Sequence, residues 1–99
     1  MVIANQIIIE AVEGKTEALE PLLRTLVEAT LPEEGCQKYE LYQLDEDREV
    51  FFIIEIWKDG KSYKAHLDNK HFQELCSAMQ ELIEVKVSNA LKSTPSFAN

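Results

Sequence analysis

The sequence predicts an α+β domain with element order βαββαβ and an antiparallel sheet, and three observations carry that prediction. Residues 50–56 form an almost unbroken run of β-branched, aromatic and other apolar residues, VFFIIEI, interrupted only by Glu55. A second strand-forming run at 39–44 precedes it, and the turn formers Asp45, Glu46 and Asp47 lie between, which makes a β-hairpin. Ahead of the hairpin, Ala18, Leu19, Leu22, Leu23, Leu26, Val27 and Thr30 recur at three and four residues, the period of a helix that buries one face. A strand with one wet face would alternate apolar with polar. Residues 50–56 do not, so both faces are expected to be covered, one by helices and the other by a second copy of the chain.

Taken in order, residues 2–12 read as a strand, with Ile7, Ile8 and Ile9 in a row suiting a central position, and Gly14 ends it. The helix that follows keeps Glu17, Glu20, Arg24 and Glu28 on its wet face. Pro21 lacks an amide donor and crowds the carbonyl of Glu17, so a kink or a restarted first turn is expected there. Pro32 and Gly35 mark the loop that returns the chain to the hairpin. Beyond Trp57, Asp59 can cap a short helix that places Tyr63, His66 and Leu67 on one face. Asn69 can cap a second, with Phe72, Leu75, Cys76, Met79 and Leu82 or Ile83 as its buried stripe, before Val85 and Val87 begin a last strand. Residues 1–92 make one domain, and Pro95 among small polar residues makes 93–99 a flexible tail or an arm lying on a partner.

The 99 residues suit a single domain with a modest core, one that an additional interface would help to stabilise. A net charge of -8 repels phosphate backbones and anionic lipid heads, which argues against nucleic acid and membrane surfaces as partners. The first residues lack the basic start and apolar core of a signal peptide, so a cytoplasmic protein is expected. Cys36 and Cys76 are too few and too far apart for a metal cluster or a disulfide framework, and both read as reduced thiols. Phosphate loops, nucleotide fingerprints, Ser-His-Asp orders and spaced metal ligands are not found in the sequence, and no cofactor is predicted.

The segments Glu33-Glu34-Gly35-Cys36, Ile54-Glu55-Ile56-Trp57 and Ala65-His66-Leu67 followed by His71-Phe72 resemble, in order and spacing, the antibiotic biosynthesis monooxygenase (ABM) family, and within it the quinol monooxygenase branch. The resemblance covers residues 3–87. It implies ferredoxin-like protomers paired into a dimeric α+β barrel, and, for many members, oxidation of a substrate by molecular oxygen without a cofactor. Binding without catalysis, haem degradation and isomerisation occur on the same architecture, so fold alone does not select among them.

His66, Asn5 and Trp57 are the candidate catalytic residues. The imidazole of His66 titrates near neutrality and can take a proton from a phenolic hydroxyl; against this stands a packing histidine satisfied by a neighbouring carboxylate or carbonyl. Asn5 can donate a hydrogen bond to a developing oxyanion, or be an ordinary polar residue in a strand. Trp57 can stack on an aromatic substrate, or fill the core at a strand end. Tyr39, Tyr63, His71 and Phe72 are the candidates for substrate contact, although His71 near a helix start also suits a capping role. Glu55 shares the Trp57 side of its strand and, if buried, requires a partner, either a histidine that it orients or, preferably, an ion pair across a subunit interface. A pocket inside each protomer, between the sheet and the short helices, is expected to have Asn5, Tyr39, Trp57, Tyr63 and His66 on its wall.

The function predicted is cofactor-independent monooxygenation of a quinol or polyphenol by O2, in a homodimer. A singlet organic molecule reacts with triplet oxygen only when it is electron-rich enough to release one electron, as a hydroquinone anion is, so a base, an oxyanion partner and a dry aromatic pocket suffice. The alternatives are an isomerase of a small phosphorylated carbonyl compound and a non-catalytic small-molecule-binding dimer. Arg24 and Arg48 are the only arginines to hold a phosphate. Haem degradation is disfavoured by resemblance: His66 stands where haem-degrading relatives have a tryptophan and Cys76 where they have the ligand histidine, and a Cys in an apolar stripe is a poor iron ligand.

Overall fold

The structure, a computed structural model, describes residues 1–93. The expected tail at 93–99 lies, beyond its first residue, outside the described residues. The order is β1 (Ile3–Ala11), α1 (Thr16–Thr30), β2 (Cys36–Gln43), β3 (Val50–Trp57), α2 (Gly60–Asp68), α3 (Lys70–Met79) and β4 (Ile83–Ala90), with a single 3-10 turn at Gln80–Leu82 between the last two. This is the predicted βαββαβ arrangement with its second helix split in two. Both caps read from the sequence form: Asp59 Oδ1 accepts from the Ser62 amide at 2.8 Å, and Asn69 Oδ1 from the Phe72 amide at 3.1 Å.

Two local expectations need correction. Helix α1 runs unbroken from Thr16 through Pro21, so the first turn does not restart there. Pro21, inside the helix, removes the one amide that would have donated to the Glu17 carbonyl, and the turns on either side of it remain helical. The last helix ends at Met79, so Leu82 and Ile83, assigned above to its stripe, belong instead to the 3-10 turn and the start of β4. Both remain packed against the core, which is why their apolar spacing imitated another helical turn.

The four strands form one antiparallel sheet in the order β2-β3-β1-β4, which makes β1 and β3 central. Register Ile7↔Ile53 and Ile9↔Phe51 aligns one face of the two strands, and α1 and α3 pack on it. That face buries Ile9, Phe51, Ile53 and Trp57 against Leu19, Leu23 and Leu26 of α1 and Leu75 and Met79 of α3. The opposite face carries Ile8, Phe52, Ile54, Ile56 and Val87, half-buried or exposed, with no element of the chain across it among the described residues. Strand β3 therefore does alternate, buried with half-buried, although nearly every residue is apolar. Among the described residues no helix is long and apolar enough to cross a membrane.

Leu19 is fully buried between α1 and the sheet. Leu19→Ala is expected to lower unfolding free energy by about 2–5 kcal/mol, measured by urea denaturation; a loss below about 1 kcal/mol would show that the helix packs loosely on the sheet.

Candidate active site

Between the sheet's helix-facing side and helices α2 and α3 lies a cavity of about 570 Å³. Strand residues Tyr39, Ile53 and Glu55 form its floor, Tyr63 and His66 come from α2, and Phe72 from α3. The β-strand period sends Tyr39 and Glu55 inward together, because β2 and β3 pair them directly. The Asp59 cap fixes where α2 starts, and its period puts Ser62 and His66 on the buried face one turn apart.

The His66 ring is fully buried among aromatic rings. Its centroid lies 4.2 Å from Phe72, 4.7 Å from Trp57 and 5.7 Å from Tyr39, the last in an edge-on arrangement. Nδ1 faces the carboxylate of Glu33, at 3.0 Å from one oxygen and 3.2 Å from the other. Glu33 belongs to the loop between α1 and β2. Nε2 is the ring nitrogen that Glu33 does not engage.

Glu55 is buried almost completely, and two neutral donors hold it. Asn5 Nδ2 donates to Oε2 at 3.0 Å and Trp57 Nε1 donates to Oε1 at 2.8 Å. The Asn5 bond follows from sheet register, since Asn5 and Glu55 are directly paired across β1 and β3. Glu55 thus pairs neither with a histidine nor with a cation of its own chain among the described residues. An orienting carboxylate for the histidine does exist, but it is Glu33 rather than Glu55.

The phenol of Tyr39 is pushed far up, first by burial and then by the negative charge of Glu55. Tyr63 is raised by the same two causes, with an opposing contribution from the Asn5 side chain. Burial also pushes up the thiols of Cys36 and Cys76, and for Cys36 the charges of Glu33 and Glu55 add to it, so neither cysteine has the depressed pKa of a reactive thiolate. No group of three or more His, Cys, Asp or Glu among the described residues is arranged to hold a metal ion.

Of the residues singled out in the sequence, Tyr39, Tyr63, His66 and Phe72 line the cavity together. Asn5 and Trp57 stand behind its wall, their donors directed to Glu55, and Trp57 presents a ring face to His66. His71 is exposed and is not among the lining residues. Sequence reasoning did not assign Glu33 a role. Its signal was its place in the Glu33-Glu34-Gly35-Cys36 segment of the family resemblance, two residues before Gly35, whose positive φ of 83° marks a specific turn.

The sequence model described as "Antibiotic biosynthesis monooxygenase" matches residues 2–78. The chain belongs to this family. The match takes in every side chain of the site from Asn5 to Phe72 and ends before β4. Among curated relatives, "Putative monooxygenase YcnE" of Bacillus subtilis (strain 168) is 32% identical over 60 residues, 61% of this chain and 63% of that protein, so less than two thirds of its length is spanned. Among solved structures, PA3566 from Pseudomonas aeruginosa is 30% identical with a TM-score of 0.89, covering 94% of both chains. A conserved protein from Methanosarcina mazei Go1 is 28% identical with a TM-score of 0.86, over 95% of this chain and 94% of the other. The ferredoxin-like α+β fold of the ABM family is thus the fold of this chain.

In this ABM domain the raised phenol of Tyr39 has a consequence for stability. An unfolded tyrosine releases its proton near about pH 10, whereas folded Tyr39 keeps its proton there. The folded state therefore holds the extra proton above that pH, and stability is lost as pH rises. Urea unfolding from about pH 9 to pH 11 is expected to show this decline, and Tyr39→Phe should make it shallower; an unchanged slope would place the Tyr39 hydroxyl in water.

Proposed function

We propose that the protein is a cofactor-independent monooxygenase that oxidises a quinol or polyphenol with molecular oxygen. The observation that carries this reading is the disposition of His66: an imidazole on the cavity wall, packed among aromatic rings, with Nδ1 taken by a carboxylate and Nε2 left for a substrate. Such a nitrogen can accept a hydroxyl proton where water does not compete. Membership of the ABM family and the name of the YcnE relative support monooxygenase chemistry in general.

Loss of its proton to Nε2 turns a hydroquinone into an anion that can pass one electron to O2. The resulting radical pair joins at a ring carbon as a hydroperoxide, which eliminates water. Hydroquinone and O2 in equal amounts thus give hydroxybenzoquinone and water in equal amounts. One oxygen atom of O2 stays on the ring as the new oxygen substituent, the other leaves as water, and the proton held on His66 departs in that water. Tyr39 and Tyr63, both kept neutral by burial, can donate hydrogen bonds to the substrate oxygen as charge develops on it. Asn5 and Trp57, the other two residues assigned to catalysis, serve on this reading through Glu55: they hold the floor carboxylate, and Trp57 walls the imidazole.

The working unit on this reading is a two-fold homodimer with sheets face to face. The uncovered row of Ile8, Phe52, Ile54, Ile56 and Val87 supports it, because an apolar sheet face of that extent is poorly tolerated in water. Ile54→Lys is expected to abolish assembly or folding, read by sedimentation velocity, where the parent protein should run as a dimer burying about 2,000 Å² or more. A soluble Ile54→Lys dimer would contradict the arrangement.

His66→Ala is expected to lower oxygen uptake with a hydroquinone by at least about a hundredfold at neutral pH, with little change in melting temperature. His66→Gln, which can hydrogen-bond but cannot serve as a base, should be nearly as poor. Full activity in both variants, accompanied by easier unfolding, would make His66 a packing residue.

A further inference from the structure

We propose that Glu33 is the positioning residue of this site, holding His66 in the tautomer that carries its proton on Nδ1 and leaves Nε2 as the bare base. The proposal rests on the reading of His66 as that base. A carboxylate only accepts hydrogen bonds, so the nitrogen lying 3.0 Å and 3.2 Å from its two oxygens must be the donor. A neutral imidazole has a single N–H, and placing it on Nδ1 leaves the lone pair on Nε2. When Nε2 takes the substrate's proton, the Nδ1–H stays in place and the buried imidazolium sits beside an existing negative charge. Without it, a fully desolvated cation would form among aromatic rings at considerable cost.

The loop is built to hold this contact. The Glu33 amide donates to the Thr30 carbonyl at 2.9 Å, and its own carbonyl accepts from the Cys36 amide at 3.1 Å. Two residues on, the Gly35 carbonyl accepts from the Lys58 amide at 2.9 Å, which ties the loop to the segment between β3 and α2. Gly35 lies so close to α2 that a Cβ in its place would collide with the Ser62 side chain. Ser62 and His66 are one helical turn apart, about 5.4 Å. Two residues of loop reach up to about 7 Å. Residues 33–35 therefore run beside α2 in step with it, Gly35 against Ser62 and Glu33 against His66. The other buried carboxylate of the site does not take this part: the oxygens of Glu55 accept from Asn5 and Trp57, and the carboxylate at His66 Nδ1 is that of Glu33.

Long-range nitrogen–proton NMR of the histidine rings tests the proposal in alkaline buffer on the parent protein, Glu33→Ala and Glu33→Gln. Thermal melts and steady-state oxygen uptake with a hydroquinone accompany it. The parent should show His66 protonated on Nδ1. Glu33→Ala should move the proton towards Nε2 and lower kcat by about ten- to a hundredfold with KM little altered. Glu33→Gln, whose amide oxygen can still accept from Nδ1 but carries no charge, should keep the tautomer and lose part of the rate; if Glu33→Ala fails to fold, a Glu33→Gln protein with the parent's full kcat would overturn the proposal. An Nε2–H tautomer in the parent, or a Glu33→Ala protein with unchanged tautomer, would overturn the proposal. If the parent consumes no oxygen with any hydroquinone, the quinol reading fails while the NMR result still decides the role of Glu33.

Discussion

A carboxylate withdrawn from water must be given donors, and the inner end of the cavity is organised around meeting that demand for Glu55. Leaving a buried charge without hydrogen bonds costs several kcal/mol, about as much as a small domain's whole margin of stability. Asn5 and Trp57 supply the donors, one from each central strand, at 3.0 Å and 2.8 Å. The bonds lock the Asn5 amide and the Trp57 indole into single orientations. The indole so held becomes a wall 4.7 Å from the His66 ring. The position of the imidazole thus depends on a hydrogen bond within β3, from Trp57 to Glu55, that it does not itself share.

The second carboxylate works differently. Glu33 lies on a loop and faces a titratable partner, so its pair with His66 can redistribute charge during a proton transfer, whereas the neutral donors around Glu55 leave that group's charge unchanged. With Glu55 and Glu84 on its wall, Glu33 behind His66 and Lys86 as the cation among the lining residues, the cavity is better suited to a neutral hydroxyl that gives up its proton inside than to an anion that must enter already charged. That preference accords with a quinol as the proposed substrate. Tyr39 and Tyr63, kept protonated by burial beside Glu55, leave His66 as the group on the wall suited to receive the proton.

Much of the fold was legible in the sequence because it is written in local periodicity. The i, i+3, i+4 spacing of α1, the hairpin turn at 45–47 and the Asp59 and Asn69 caps each depend on residues a few positions apart. The same spacing brought Tyr63 and His66 to the cavity. What could not be read were partnerships across long separations. Glu55 sits 50 residues from Asn5, and only the sheet register makes them neighbours. Glu33 sits 33 residues from His66, and the contact depends on a glycine turn whose geometry has no periodic signature. His71 illustrates the converse: it lies close to Phe72 in sequence, yet a helix turns adjacent residues about 100° apart, so Phe72 lines the cavity while His71 is exposed. The end of α3 was misplaced because apolar residues continue at helical spacing into a 3-10 turn.

On the proposed function, Nε2 of His66 receives a hydroxyl proton from an aromatic substrate seated in this cavity. A crystal structure with resorcinol, a diphenol that cannot form a stable quinone, tests it most directly. The ring is expected among Tyr39, Tyr63 and Phe72, with one hydroxyl oxygen about 2.6–3.2 Å from Nε2. Resorcinol bound with both hydroxyl groups away from His66, or outside the cavity, would contradict it.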